Sequence, residues 1–280
     1  MTLQPSRQIL LGATLLILAL MAGREFGLLG SATADTMPAR PAAANSTGPA
    51  STPVLVELFT SEGCSSCPPA DALLSRLGGT QPVHGADIII LEEHVDYWDR
   101  LGWKDPFSSA AATERQNQFD QTFAGGQAYT PQMVVDGRAK FVGSSDSDAL
   151  RAIGSASQTP KPAIQLSWQS GNELAVRIEP LIISGKNDGQ QLYLALAENM
   201  LHSDVKRGEN AGRALEHNGV VRQLLPLAKI DAAQAEAGFS STFPVHAQPE
   251  WNRANLRAVV FVQDRRDLHL LAAAAVPFPQ

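Results

Sequence analysis

The stretch Val54-Leu-Val-Glu-Leu-Phe-Thr-Ser-Glu-Gly-Cys64-Ser-Ser-Cys67-Pro-Pro constrains the fold more than any other part of the chain. It holds both cysteines, two residues apart, just after an apolar run. Val54, Leu55, Val56, Leu58 and Phe59 are of strand-forming type, and Ser61 to Gly63 breaks that strand before the cysteines. Pro68 and Pro69 supply no backbone donor and suit a first helical turn, so Ala70 to Leu77 is predicted to continue as a helix ending at Gly78-Gly79. Cys64 and Cys67 are thereby placed at a helix N-terminus. Free N–H groups and the positive end of the helix dipole stabilise a thiolate at such a position. Cys64, on the loop side, is the expected nucleophile. Cys67, nearer the helix, is the expected resolving thiol, closing an internal disulfide through a mixed-disulfide step.

The segments that follow build a sheet around this loop. Asp87 to His94 is a continuous apolar run of the kind found in strands buried on both faces, and strand, helix and strand make a right-handed crossover. Ser108 to Phe123 reads as a helix able to cap the sheet or cover the cysteines. Trp98 and Trp103 fit either packing or a substrate groove. Tyr129 to Val142 reads as a hairpin turning at Asp136-Gly137, with Pro131 opening its first strand. A cis Thr130–Pro131 peptide would bring the Thr130 backbone beside the cysteines to receive an extended peptide, whereas a trans proline is the default on frequency. Ser147 to Ala156 reads as a closing helix.

From Thr159-Pro-Lys-Pro162 the pattern changes to short alternating runs over 163–168, 173–179, 191–198, 219–225, 256–263 and 267–275. Turn residues at Ser170-Gly-Asn172 and Lys186-Asn-Asp-Gly189 separate some of them. The expected fold class is an α/β thioredoxin-like domain over residues 53–158, followed by a mostly antiparallel β-sandwich over 163–280. A length of 280 residues suits two domains.

Arg7, the apolar segment Ile9 to Ala22 and the small-residue site Ala32-Thr-Ala34 read as a signal segment over 1–34, with an uncleaved anchor as the alternative. Residues 35–52, rich in Ala, Pro, Ser and Thr, read as a flexible linker. The expected location is periplasmic or secreted, where a disulfide persists. A membrane is an expected partner only if the N-terminal segment stays uncleaved. A formal charge of -6 without a basic stripe argues against nucleic acid.

Glu57 to Asp71, His94 to Asp99, Tyr129 to Gly137 and Arg207-Gly-Glu-Asn-Ala-Gly-Arg213 together resemble a family of secreted bacterial proteins of unassigned function, domain of unknown function 1223, within the thioredoxin-like superfamily. That resemblance covers nearly all of the chain after Pro53. The thioredoxin likeness implies Cys64 as nucleophile, Cys67 as resolving cysteine and Pro131 as a cis-proline. Glu57 falls where thioredoxins keep a buried carboxylate that helps deprotonate the resolving thiol, although Glu replaces Asp and the loop to Cys64 is one residue longer. Thr130, Tyr129 and Trp98 are the expected substrate-binding residues.

The expected activity is thiol–disulfide exchange with a protein or small thiol/disulfide substrate, with no cofactor and no resident metal. Two other readings stand beside it: a non-catalytic binding module whose cysteines form a structural bridge, and soft-metal (copper) binding by the two thiolates aided by His94. His202, His217 and Glu209 match no familiar ligand spacing and read as a solvated or interdomain loop. The Arg207 to Arg213 segment is expected to pack near the cysteines or the interdomain groove.

Overall fold

A computed structural model describes residues 51–123, 126–181 and 189–280. The expected signal segment (1–34), the expected linker apart from Ser51 and Thr52, and the expected turn at 186–188 lie outside the described residues. The described residues belong to one compact unit, Thr47–Gln280. Among them, no helix is long and apolar enough to cross a membrane.

The cysteine region folds as its local pattern requires. Strand β1 (Thr52–Thr60) leads through the cysteine loop into helix α1 (Pro68–Thr80), and β2 (Ala86–His94) returns parallel to β1. Ser109 caps α2 (Ala110–Thr122) by accepting from Ala112 N–H. The hairpin β3 (Gln132–Val135) and β4 (Ala139–Val142) turns at Asp136-Gly137, both with positive φ, and β3 pairs antiparallel with β1. The Thr130–Pro131 peptide is cis. Helix α3 (Asp146–Ser157) then covers the same face as α1: Val54, Val56 and Leu58 pack with Leu73, Leu74, Leu77, Met133 and Ile153.

The second half does not form a body of its own, and this corrects the expected fold class. Strands β5 (Ile164–Gln169), β6 (Glu173–Ile178) and β11 (Phe239–Pro244) make a small sheet. Strands β7 (Gln190–Glu198), β10 (Val220–Ile230), β12 (Leu256–Asp264) and β13 (Leu270–Pro277) instead extend the first one. The result is a single mixed sheet of eight strands, ordered β13-β12-β7-β10-β2-β1-β3-β4. The joint is β10 alongside β2, where Val220 faces Glu92 and Glu92 N–H donates to Gly219 C=O at 2.8 Å.

The protein is therefore mostly β, with a large mixed sheet and few helices, not an α/β thioredoxin fold followed by a separate sandwich. The physical reason is the free edge of β2. A strand with apolar residues on both faces leaves backbone groups unpaired along its edge; β10 joins that edge at one pair, Val220 beside Glu92, and the Gln81 side chain satisfies Ile88 N–H and C=O further along. Burial follows the pairing: Leu55, Ile89 and Leu91 share one apolar cluster with Ala195, Ala197, Val259 and Phe261. Even the proline-flanked segment at 159–162 is tied down, since the Lys161 side chain is buried and its Nζ lies 2.7 Å from Asp136 Oδ2.

The hairpin β8 (Leu201–Asp204) and β9 (Ala214–His217) stands off this sheet, and its loop reaches the cysteines. A short helix α4 (Ala232–Ala237), closed by an Asp231–Gln234 capping box, completes the chain order before β11.

Candidate functional site

Cys64 and Cys67 form a disulfide with Cα atoms 5.4 Å apart, and Cys67 is the N-cap of α1. Pro68 and Pro69 remove two N–H donors, while the amides of Ala70 and Asp71 turn back to Cys67 C=O. The helix thus offers the cysteines its dipole rather than free donors. Both residues are fully buried, although Ser65 and Ser66 between them are exposed.

The cover comes from the loop between β8 and β9. Asn210 Nδ2 donates to Glu62 C=O and to Cys64 C=O, each at 2.9 Å. Glu209 accepts from Ser65 N–H at 3.0 Å, and hydrogen bonding from Ser65, its side chain first and then its backbone, holds the carboxyl below the usual range. Gly208, with φ +76°, sits where a Cβ would come within 3.2 Å of Trp103 Cβ. The expected placement of residues 207–213 near the cysteines is what the structure shows.

Beneath the cysteines lies a fully buried polar cluster. Glu92 and His94 point from β2 to the α1 side, as the alternation from Ile88 requires. His217 enters from the end of β9, with Nδ1 2.7 Å from Glu92 Oε1 and Nε2 3.3 Å from Glu62 Oε1. His94 Nδ1 is 2.7 Å from Asp105 Oδ2, and its Nε2 is 3.3 Å from Glu92 Oε1. Trp103 Nε1 and Ser203 Oγ donate to Glu62 Oε2, which fixes that carboxylate. Asp71, one turn into α1, accepts from Thr60 Oγ1 at 2.6 Å.

Burial and mutual charge shape the titration of these groups. Burial, then the negative charge of Glu92, pushes the Asp71 carboxyl up to about 7. Burial pulls His217 down, but the Glu92 carboxylate overrides it and raises the imidazole to about 9. His94 is raised well above its ordinary value against the same burial cost, by the Asp105 carboxylate first. Glu92 and Asp105 both end below their usual range, because attraction to the histidines outweighs their own burial.

The residues expected from the sequence fall into two groups. Trp98 and Thr130 join the cysteine loop: Trp98 Nε1 donates to Thr130 Oγ1 at 2.8 Å, and Trp98 Cβ would lie 3.1 Å from a Cβ placed on Gly63. Pro131 packs toward α1, since a Cβ on Gly143 would meet Leu58, Pro131 and Ala70 together. Tyr129 C=O accepts from Gln116 Nε2, and burial raises its half-buried phenol. Glu57 stands apart. It points to the α2 face of the sheet, ion-paired with buried Arg115 near Glu93, so the sheet separates it from the cysteine helix. On the cysteine side the carboxylate carried by α1 itself is Asp71. His202 is exposed beside Glu216, and Glu209 binds Ser65, so neither joins His217.

Sequence reasoning missed Glu62, Asp71, Glu92, Asp105 and Asn210. A signal existed for Glu92 and His94: a strand of apolar residues that ends Glu-Glu-His carries polar groups into a core and must give them partners.

Fold and site define a class of protein: a large mixed β-sheet bearing a Cys-x-x-Cys disulfide at a helix start, above buried histidines and carboxylates. The chain belongs to the DUF1223 family, proteins of unknown function, whose family model matches residues 55–263. It is similar in fold to protein AGR_C_4864 from Agrobacterium tumefaciens, at 24% identity over 82% of this chain and 96% of that one, with a TM-score of 0.64. It is also similar to HBP35 of Porphyromonas gingivalis, at 15% identity over 82% of this chain and 76% of that one, with a TM-score of 0.60. Among curated proteins no match was found.

Proposed function

We propose that this protein carries out thiol–disulfide exchange through Cys64 and Cys67. The observation that carries the reading is the disulfide itself, spanning two residues at the first turn of α1 with a buried carboxylate, Asp71, one turn below. Its likeness to thioredoxins is confined to the cysteine loop, α1 and the Thr130–Pro131 segment, and does not extend to the fold class.

Starting from the disulfide, a substrate thiolate attacks Cys64 Sγ and displaces Cys67 as a thiolate, leaving a mixed disulfide. A second substrate thiolate then attacks the substrate sulfur and releases Cys64, so two electrons pass from the substrate dithiol to the protein pair. The reverse sequence, with Cys64 attacking and Cys67 resolving, reduces a substrate disulfide. Asp71, its carboxyl pushed up to about 7 by burial and then by Glu92, is the candidate donor of a proton to the departing Cys67 thiolate. Trp98, Thr130 and Tyr129 would line the approach. The 205–213 loop must withdraw for a protein substrate to reach Cys64, because both sulfurs are covered.

The complete burial of both cysteines favours a second reading, a structural bridge in a binding module. The reduction potential separates the two. A value between about -120 and -270 mV supports exchange, and one below about -300 mV supports the bridge. Cys67→Ser should also trap mixed disulfides with protein or small-thiol partners. An exported location, periplasmic or secreted, is part of the proposal and rests on Arg7, Ile9 to Ala22 and Ala32-Thr-Ala34.

A further inference from the structure

The cluster beneath the cysteines packs four carboxylates around two imidazoles. Glu62, Asp71, Glu92 and Asp105 surround two imidazoles, and among the described residues the cations at ion-pair distance from Glu62, Glu92 and Asp105 are those histidines. Three atoms in the cluster, His94 Nε2, His217 Nε2 and Glu62 Oε1, are buried without a hydrogen-bond partner. In the neutral form that a metal ion requires, with His94 Nδ1–H donating to Asp105, Nε2 presents its lone pair to Glu92 Oε1, 3.3 Å away. Two such acceptors in a dry interior repel unless a cation lies between them, either a proton on Nε2 or a metal ion.

From this geometry we propose that Glu92, His94 Nε2 and His217 Nδ1 bind a divalent first-row transition-metal ion of the zinc type. The three residues present one donor atom each, all within 4.8 Å of one another. With ligand distances of about 2.1 Å, the 3.3 Å between His94 Nε2 and Glu92 Oε1 subtends about 104°, close to tetrahedral. The 2.7 Å between His217 Nδ1 and Glu92 Oε1 subtends about 80°, so these two separate by about 0.7 Å on loading.

The nitrogens turned away from the ion support the assignment. His94 Nδ1 is backed by Asp105, and His217 Nε2 by Glu62, itself oriented by Trp103 and Ser203. A carboxylate behind each ligating imidazole is the usual device for fixing its tautomer and strengthening its donation. Two imidazoles and one carboxylate suit zinc and its first-row neighbours, and three protein ligands leave a fourth position for water or substrate. One member of the cluster, Asp71, lines a surface cavity of about 310 Å³ with Ser75, Leu215 and Asn218. This inference is independent of exchange at the cysteines.

The test uses the full chain with Cys64–Cys67 kept as the disulfide, so that no thiolate can act as a ligand. After chelator treatment it is titrated with zinc by calorimetry and with cobalt by visible absorption. One ion per chain is expected, with the intense cobalt bands of a four-coordinate site. The single variants His94→Gln and His217→Gln should each weaken binding by about 10-fold or more, and the Cys64→Ser/Cys67→Ser double variant should bind as the wild type does. No uptake by the oxidised wild type, or uptake indifferent to both histidine variants, overturns the proposal. Should those variants fail to fold, nitrogen NMR of the wild-type histidines decides. Zinc must shift His94 Nε2 and His217 Nδ1. Four protonated ring nitrogens unmoved by zinc would show that protons fill the cluster.

Discussion

Replacing Asn210 with Ala should unlatch the cover over the disulfide. Asn210 is 1% exposed, and its amide makes the two bonds that hold the 205–213 loop to Glu62 C=O and Cys64 C=O, each at 2.9 Å. A buried hydrogen bond is worth about 1 kcal/mol net, so losing both costs the closed loop about 2 kcal/mol. The exposed Glu209–Ser65 contact cannot make up the difference. With both sulfurs buried, a small thiol reaches Cys64 only from an opened loop, and 2 kcal/mol multiplies the open population about 30-fold. The assay is the rate of reduction of Cys64–Cys67 by excess dithiothreitol under native conditions, quenched by alkylation and counted by mass. Urea unfolding of the same variant measures global stability and separates loop opening from whole-chain unfolding. The reasoning is refuted if Asn210→Ala loses about 2 kcal/mol of stability yet is reduced at the wild-type rate, because the reagent would then enter by another path.

Three further outcomes follow from buried groups elsewhere. Arg115→Met leaves Glu57 and Glu93 without their cation and should destabilise the fold by about 3–5 kcal/mol in urea unfolding, with partial rescue by Glu57→Gln; a loss under about 1 kcal/mol would show that the ion pairs contribute little. Lys161→Met strands the Asp136 carboxylate, which burial already raises above its usual value. A raised acid holds its proton more tightly in the folded state, so this variant's loss should be small near pH 4 and grow as pH rises through the folded pKa. Denaturation midpoints at pH 4 and pH 8 check the sign, and an equal loss at both contradicts it. Gly143→Ala places a methyl 2.6 Å from Leu58 Cδ1 and 3.1 Å from Pro131 Cβ, so overpacking should cost about 1–3 kcal/mol, read from the thermal midpoint against wild type.

What the sequence made legible was local. The strand before the cysteines, the proline-led helix, the Asp136-Gly137 hairpin and the bracketing helices are each written in consecutive residues, and each formed within a few positions of its expected bounds. The shared sheet was not legible, because its joint is long-range. Val220 meets Glu92 across more than a hundred residues, and nothing in either run names the other. The apolar pattern of β2 said that the strand would be buried but could not say that β10 would be the element beside it. Glu57 shows the same limit at the site. Its position before the cysteines resembled that of a catalytic carboxylate, but period-two alternation turned it to the opposite face, toward Arg115.

The end of β2 shows why the two halves of this chain had to be joined. Glu92, Glu93 and His94 are consecutive, so Glu92 and His94 point to one face and Glu93 to the other. Each face therefore needs partners that the first half cannot fully supply. On the α1 side, Glu92 and His94 meet His217, while Asn210 and Ser203 from the same hairpin secure Glu62 and the Cys64 backbone. On the α2 side, Arg115 answers Glu57 and Glu93 but is itself held by Gln263 of β12, with Tyr193 of β7 and Phe261 of β12 within cation–π reach. A buried charge without its partner costs several kcal/mol, which is comparable to the whole stability of a domain. The polar groups packed beneath the cysteine loop are thus the same ones that require the second half to complete the sheet, and site and architecture form together.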